Sequence, residues 1–329
     1  MSQLGRRHAA EASHSGGLVI PQYLTLFTVA LAVAGLGELV LQRVVYRVGI
    51  HLPRSGLFLN VYEFATAAGD FAFRLTAVLV GVSAVALALW LARGRVNPLV
   101  GAVLLALVAV NLFAWPLRLE PASVVVAVLF AVGLAAVLAG AARRPAPLAL
   151  HAAVVGAALT LLLGQYRVLL GGLGVTGESV ATAQLLSEVG LLLTAAALVL
   201  ATRGFAPSRH AVAAAAGVTI LLAGAYVREP ATVAIVSLWA VGVTMSLPAV
   251  LYLFALAGVT YAAATWLRHE QTRHLGVAVL LLLVAGVQPE VLHHDLTALL
   301  GLTLLSLGAA QTIAESRVGG RLALAQGAS

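Results

Sequence analysis

Long apolar runs dominate the chain, and short clusters of Arg, Gly, Pro and acidic residues punctuate them. Many of the runs reach about 18 residues or more, enough to cross a ~30 Å hydrocarbon core as a helix. Their boundaries predict helices over 19–46, 62–93, 97–117 and 121–142. A second set follows over 147–171, 178–202 and 208–227, with another helix starting at 230. Pro121 and Pro230 fall in first turns, where a missing N–H removes no intrahelical bond. Glu120 and Glu229 precede them and suit the positive end of a helix dipole. Residues 230–267 are apolar but broken at Ser246-Leu247-Pro248, which makes them one interrupted crossing or two short ones.

The two sets share landmarks in the same order. Tyr46-Arg47-Val48 matches Tyr166-Arg167-Val168, and Arg93-Gly94 matches Arg203-Gly204. Glu120-Pro121-Ala122-Ser123 matches Glu229-Pro230-Ala231-Thr232. Three matches in order predict a duplicated four-helix unit, with a longer first external loop in the first copy. An even number of helices per unit makes the copies parallel across a membrane rather than inverted. The expected fold is therefore an all-α polytopic transmembrane helix bundle of about ten spans. A cytoplasmic tail (1–17) precedes one repeat at 18–145 and a second at 146–246. C-terminal transmembrane helices, a pair beyond the repeats, occupy 247–316, and a second cytoplasmic tail covers 317–329.

Composition confirms the class. Of 329 residues 61% are hydrophobic and only 9% charged, where soluble domains carry about 25% charged residues. Cysteine is absent, which excludes disulfides, thiolate nucleophiles and Cys-ligated metals. All 19 basic residues are Arg, so no Schiff-base lysine exists, and the bias points to a GC-rich prokaryotic genome. The net charge of +7 is spread over single Arg residues rather than a stripe, which argues against nucleic acid. The lipid bilayer is the expected partner, with other membrane subunits or a homo-oligomer compatible.

Charge also gives a sidedness. With a single net crossing over 230–267, one face gathers Arg6, Arg7, Arg93, Arg95, Arg143, Arg144, Arg203, Arg209, Arg268, Arg273, Arg317 and Arg321. Only Glu11, Glu270 and Glu315 accompany them, as the positive-inside rule requires of cytoplasmic loops. Both termini are then expected in the cytoplasm, with the chain in the inner membrane.

Most remaining ionisable residues fall at the outer half. Glu38 and Glu188 stand out because their helix positions put them at hydrocarbon depth, where a charge costs at least ~2.5–3.5 kcal/mol. Asp70 and Arg74 are spaced i,i+4 with the acid first, the favourable order for an intrahelical ion pair. With Arg167 these four are the expected substrate-binding or ion-path residues; no catalytic residue is expected. His293, His294 and Asp295 are adjacent and weakly metal-like with His51. Neighbours on a helix diverge by about 100°, however, and zinc needs three or four converging ligands. A helix N-terminus accounts for Asp295 more simply. His151, His210, His269 and His274 fall at cytoplasmic helix ends.

Two tandem four-helix bundles resemble the layout of haem A synthase. Asp70-Phe71-Ala72-Phe73-Arg74 is similar to that family's acid-x-x-His-Arg signature on its second helix. Phe73 replaces the haem-ligating histidine, and Gln184–Glu188 in the second copy offers none either. The resemblance thus implies an architecture, with haem as an alternative cofactor rather than an expected one. The leading functional expectation is a small-solute or ion permease, or a membrane subunit of a larger complex, with a polar cavity facing outside. A membrane-embedded enzyme or electron carrier of the haem A synthase kind, and a purely structural scaffold, are the alternatives.

Overall fold

The structure, a computed structural model, describes residues 20–41, 55–94, 96–117, 122–172, 177–206, 208–226, 247–285 and 291–326. Ten α-helices and no strand make up these residues. They are α1 (Gln22–Glu38), α2 (Leu57–Gly94), α3 (Pro98–Leu117), α4 (Ala122–Ala142) and α5 (Leu148–Gly172). After them come α6 (Glu178–Ala201), α7 (Arg209–Tyr226), α8 (Leu247–Arg268), α9 (Arg273–Ala285) and α10 (Val291–Gln326). Boundaries follow the punctuation seen in the sequence. Pro98 opens α3 and Pro248 lies in the first turn of α8, positions that lose no hydrogen bond. Gly177, at φ 101°, supplies the left-handed residue from which α6 begins. The expected Tyr46-Arg47 and Glu229-Pro230 landmarks lie outside the described residues.

Neighbour relations close into a cycle. α1 packs on α2, α2 on α3, α3 on α4, α4 on α5 and α5 on α6. From there α6 packs on α8, α8 on α9, and α9 back on α1. Inside this ring stands α10, which touches α2, α3, α4, α5 and α9. Every residue from 295 to 309 is buried. Outside the ring, α7 leans on α8.

A helix can sit in the middle only if its neighbours approach closely on every side, and α10 is built for that. Ala298, Gly301, Thr303, Ser306, Gly308 and Ala309 keep its surface low between leucines. At Gly301 a Cβ would lie 2.9 Å from the Ala278 carbonyl oxygen of α9, closer than any real side chain stands. The α5–α6 hairpin uses the same device twice. Gly156-Ala-Ala-Leu-Thr160 faces Gly190-Leu-Leu-Leu-Thr194, each glycine packing against the other helix's threonine hydroxyl. The Ser187 hydroxyl donates to the Thr160 carbonyl oxygen across the same seam, at 3.2 Å. This is small-xxx-small packing, which suits helix association where no hydrophobic force acts between helices in lipid.

The bundle's outer wall is apolar. Phe64, Phe71, Val78, Val82 and Leu89 of α2, Leu112 and Phe113 of α3, and Phe254 of α8 are exposed. Contiguous apolar surface of that extent is not sustained in water. Four helical stretches, Gln22–Leu41, Leu57–Gly94, Val124–Ala142 and Leu148–Tyr166, are long and apolar enough to cross a bilayer. Together these features point to a membrane protein.

Loop contacts give the helices their directions. The Arg144 Nη2 donates to the Val96 carbonyl oxygen at 2.6 Å, and the Asn97 amide donates to that of Ala136 at 2.9 Å. Thus the α2–α3 and α4–α5 turns share one end of the bundle. Burial lowers the proton affinity of the Arg144 guanidinium there. Phe205, between α6 and α7, stacks on His269, between α8 and α9, with ring centroids 4.7 Å apart. These two turns therefore also share an end. The antiparallel α5–α6 seam makes it the end that carries the first two turns. Arg93, Arg143, Arg144, Arg203, Arg209, Arg268 and Arg273 all cluster at this end. It follows that α7 leaves the Arg-rich end and α8 returns to it, so residues 226 and 247 both stand at the opposite end.

Candidate functional site

One acidic side chain is wholly enclosed. Asp295, in the second turn of α10, has no exposed surface. Its Oδ1 accepts from the Gln165 Nε2 of α5, itself buried, and lies 2.9 Å from the His294 Nδ1. The other oxygen, Oδ2, is buried and has no hydrogen-bond partner among the described residues. Leaving an acceptor so placed costs about 1–3 kcal/mol, and more for a charged group. His294 reaches the edge of the bundle, with its side chain 25% exposed.

The local sequence explains the placement. Gly308 of α10 packs on His274 at the Arg-rich end, and Asp295 stands ~20 Å further along the helix at 1.5 Å per residue. Gln165 stands at a similar depth, ~25 Å along α5 from Leu148. A side chain of Gln length can bridge two helices at that level where Leu could not answer the acid. Glu38 belongs to the same layer, ~25 Å from the start of α1. It is only 4% exposed and ends α1's regular α-turns, which widen into a π-turn over 39–41. Such turns re-aim the backbone and often mark functional positions.

The other expected site residues scatter differently. Asp70 and Arg74 both lie exposed on α2, and among the described residues no ion pair joins them. Their exposure places them on the outer wall rather than in the bundle interior. Glu188 sits mid-way along α6 and Arg167 near the end of α5; their side chains, like that of His293, lie outside the described residues. His51 lies outside them altogether. Among the described residues no group of three His, Cys, Asp or Glu side chains converges as a metal site. Phe73, at the position compared with a haem ligand, is a half-buried hydrocarbon ring with no ligating atom.

Sequence reasoning passed over Asp295 and Gln165. A helix N-terminus accounted for the acid, yet α10 starts at Val291 and Asp295 is held by side chains instead. The available signal was Gln165, the one amide side chain in α5. No known protein family, characterised protein or solved structure matches the chain.

Proposed function

We propose that this chain is a permease for a small solute or ion, with ten membrane crossings and a polar centre in its outer half. The carrying observation is Asp295: a fully enclosed carboxylate with one oxygen unanswered among the described residues, at lipid depth, where polar groups mark ion and substrate paths. Glu38 at the same depth supplies a second acid. The crossing number draws support from the turn contacts, since residues 226 and 247 stand at the same end of the bundle. The Arg-rich end is the cytoplasmic one by the positive-inside rule, with both termini there and the chain in the inner membrane. The duplication draws support from register: Arg93-Gly94 closes α2, and Arg203-Gly204 follows the last residues of α6, the second helix of the second unit.

A role as a subunit of a larger assembly has its own support in α2. At 38 residues it spans ~57 Å, far beyond a ~30 Å core, and its outer turns expose Leu57, Val61 and Phe64.

Swelling of proteoliposomes in iso-osmotic sugars, amino acids and alkali salts tests the permease. The native protein should admit at least one of these classes, Asp295→Asn and Glu38→Gln should lose that flux, and Asp70→Asn should keep it. Full flux in both of the first two variants would remove the polar centre from the mechanism. A reporter fused after Ser329 should read cytoplasmic; a periplasmic signal overturns ten crossings.

A further inference from the structure

We propose that Asp295 is the proton-binding group of this permease, loaded from the outer end of the bundle through His294. The inference rests on the permease reading and names the ion it moves.

Accessibility falls in one step along the pair. His294 is a quarter exposed and Asp295 is sealed, with 2.9 Å between Nδ1 and Oδ1. A proton arriving at the imidazole therefore has a hydrogen-bonded route to a carboxylate that water does not reach. The described partners of the carboxylate, Gln165 and His294, both use nitrogen and both use Oδ1. A metal cation such as sodium or calcium takes oxygen ligands instead, so donors of this kind do not build a cation cage. Ionised, the group leaves Oδ2 as a charged oxygen without a donor among the described residues; protonated on Oδ1, it leaves Oδ2 as a neutral carbonyl oxygen, which costs far less in low dielectric.

Among the described residues, no other ionisable side chain answers the carboxylate from the helices around α10. Neither α3 nor α4 contains an ionisable residue. On α2, Glu63, Asp70 and Arg74 are exposed, Tyr62 lies further towards its outer end and Arg93 lies at the Arg-rich end. On α5, His151 lies at the Arg-rich end and Tyr166 is exposed, while the Arg167 side chain is outside the described residues. On α9, Arg273 and His274 occupy the Arg-rich end. The transfer balances simply. An imidazolium at His294 gives its Nδ1 proton to the Asp295 carboxylate, so one N–H bond breaks and one O–H bond forms. The charged pair becomes two neutral groups, and the neutral carboxyl is the state that tolerates the interior during transport.

Infrared difference spectra of the whole protein in liposomes, taken between acid and alkaline buffer, read the carboxyl directly. The native protein should show a protonated-carboxyl C=O band that Asp295→Asn removes and Asp70→Asn keeps. Absence of the band in the native protein, or its displacement by sodium when choline is the control cation, overturns the proposal. His294→Gln, which spares the buried acid, should keep the band and slow pH-dye-detected proton uptake by about 10²-fold under an imposed potassium–valinomycin voltage. Unchanged uptake in that variant overturns the relay even if Asp295→Asn does not fold. If the band is present but no solute in the swelling screen moves, the permease reading fails and the proton site stands. Solute flux that persists in Asp295→Asn, with no proton uptake in either protein, does the reverse.

Discussion

Helices α2 and α10 are alike on paper, at 38 and 36 residues, each largely apolar and each carrying one aspartate. Their surroundings are opposite. α2 belongs to the ring and presents Phe64, Phe71, Leu75, Val78 and Val82 outward, at the three-, four- and seven-residue steps of one helical stripe. α10 has no outward stripe at all over 295–309. The difference lies in size rather than polarity. In lipid an apolar side chain gains nothing by facing protein, so hydropathy does not separate a lipid-facing wall from a central post. Bulk does: large aromatic and branched residues mark the wall, and glycine, alanine and small hydroxyls on every face mark the post. The two aspartates follow their helices, Asp70 exposed and Asp295 sealed.

That contrast breaks most sharply at the acids. Asp295→Ala strands the buried Gln165 amide and takes the partner from the His294 Nδ1. Leaving a buried donor without its partner costs about 1–3 kcal/mol, so the variant should melt below the native protein in detergent. Asp70→Ala should leave the Tm unchanged. A double variant with Gln165→Leu should recover part of the loss, because replacing both partners by apolar groups removes the stranded donor. Equal melting of Asp295→Ala and native protein would show that the carboxylate is not held as described.

Packing gives the next effect. Gly301→Leu on α10 forces carbons into the Ala278 backbone of α9, and overpacking of this kind costs about 1–3 kcal/mol. Gly81 lies on α2 with nothing within 4 Å of its would-be Cβ, so Gly81→Leu should be tolerated. Thermal melts of the two variants side by side sharpen the distinction between post and wall; equal losses would erase it.

How much of this was legible beforehand varies with what each feature depends on. Helix positions were, because prolines, glycines and arginines end apolar runs for local reasons: α4, expected at 121–142, runs Ala122–Ala142, and α6, expected at 178–202, runs Glu178–Ala201. That Glu38 should face the bundle interior was also legible, since an acid so far along an apolar helix needs protein around it, and it is buried. Which way a side chain faces at that depth was not. Asp70 and Arg74 form a sound pair by spacing, but their orientation follows from which flank of α2 meets α1 and α3, a tertiary fact. Asp295 was discounted because a helix start explains an acid locally, whereas its real partner lies 130 residues away on α5. The central place of α10 was hidden for the same reason, since an appended pair of helices and a threaded core look identical in one dimension.

The smallest effect tests the one helix outside the ring. α7 leans on α8, and across that contact the Thr219 and Thr260 hydroxyls lie 2.6 Å apart. Each hydroxyl also reaches a carbonyl in its own helix, Thr219 to Ala215 at 2.7 Å and Thr260 to Leu256 at 2.9 Å. A hydroxyl has one proton, so when one threonine donates to its backbone it can still accept from the other, and only one direction is used at a time. Interhelical hydrogen bonds in membranes average about 0.6 kcal/mol, because the separated helices find other partners. Thr219→Val and Thr260→Val should each lower stability by about that amount, and the double variant by little more than either alone. Additive losses would mean that each hydroxyl serves its own helix and that α7 is held to the ring by shape alone.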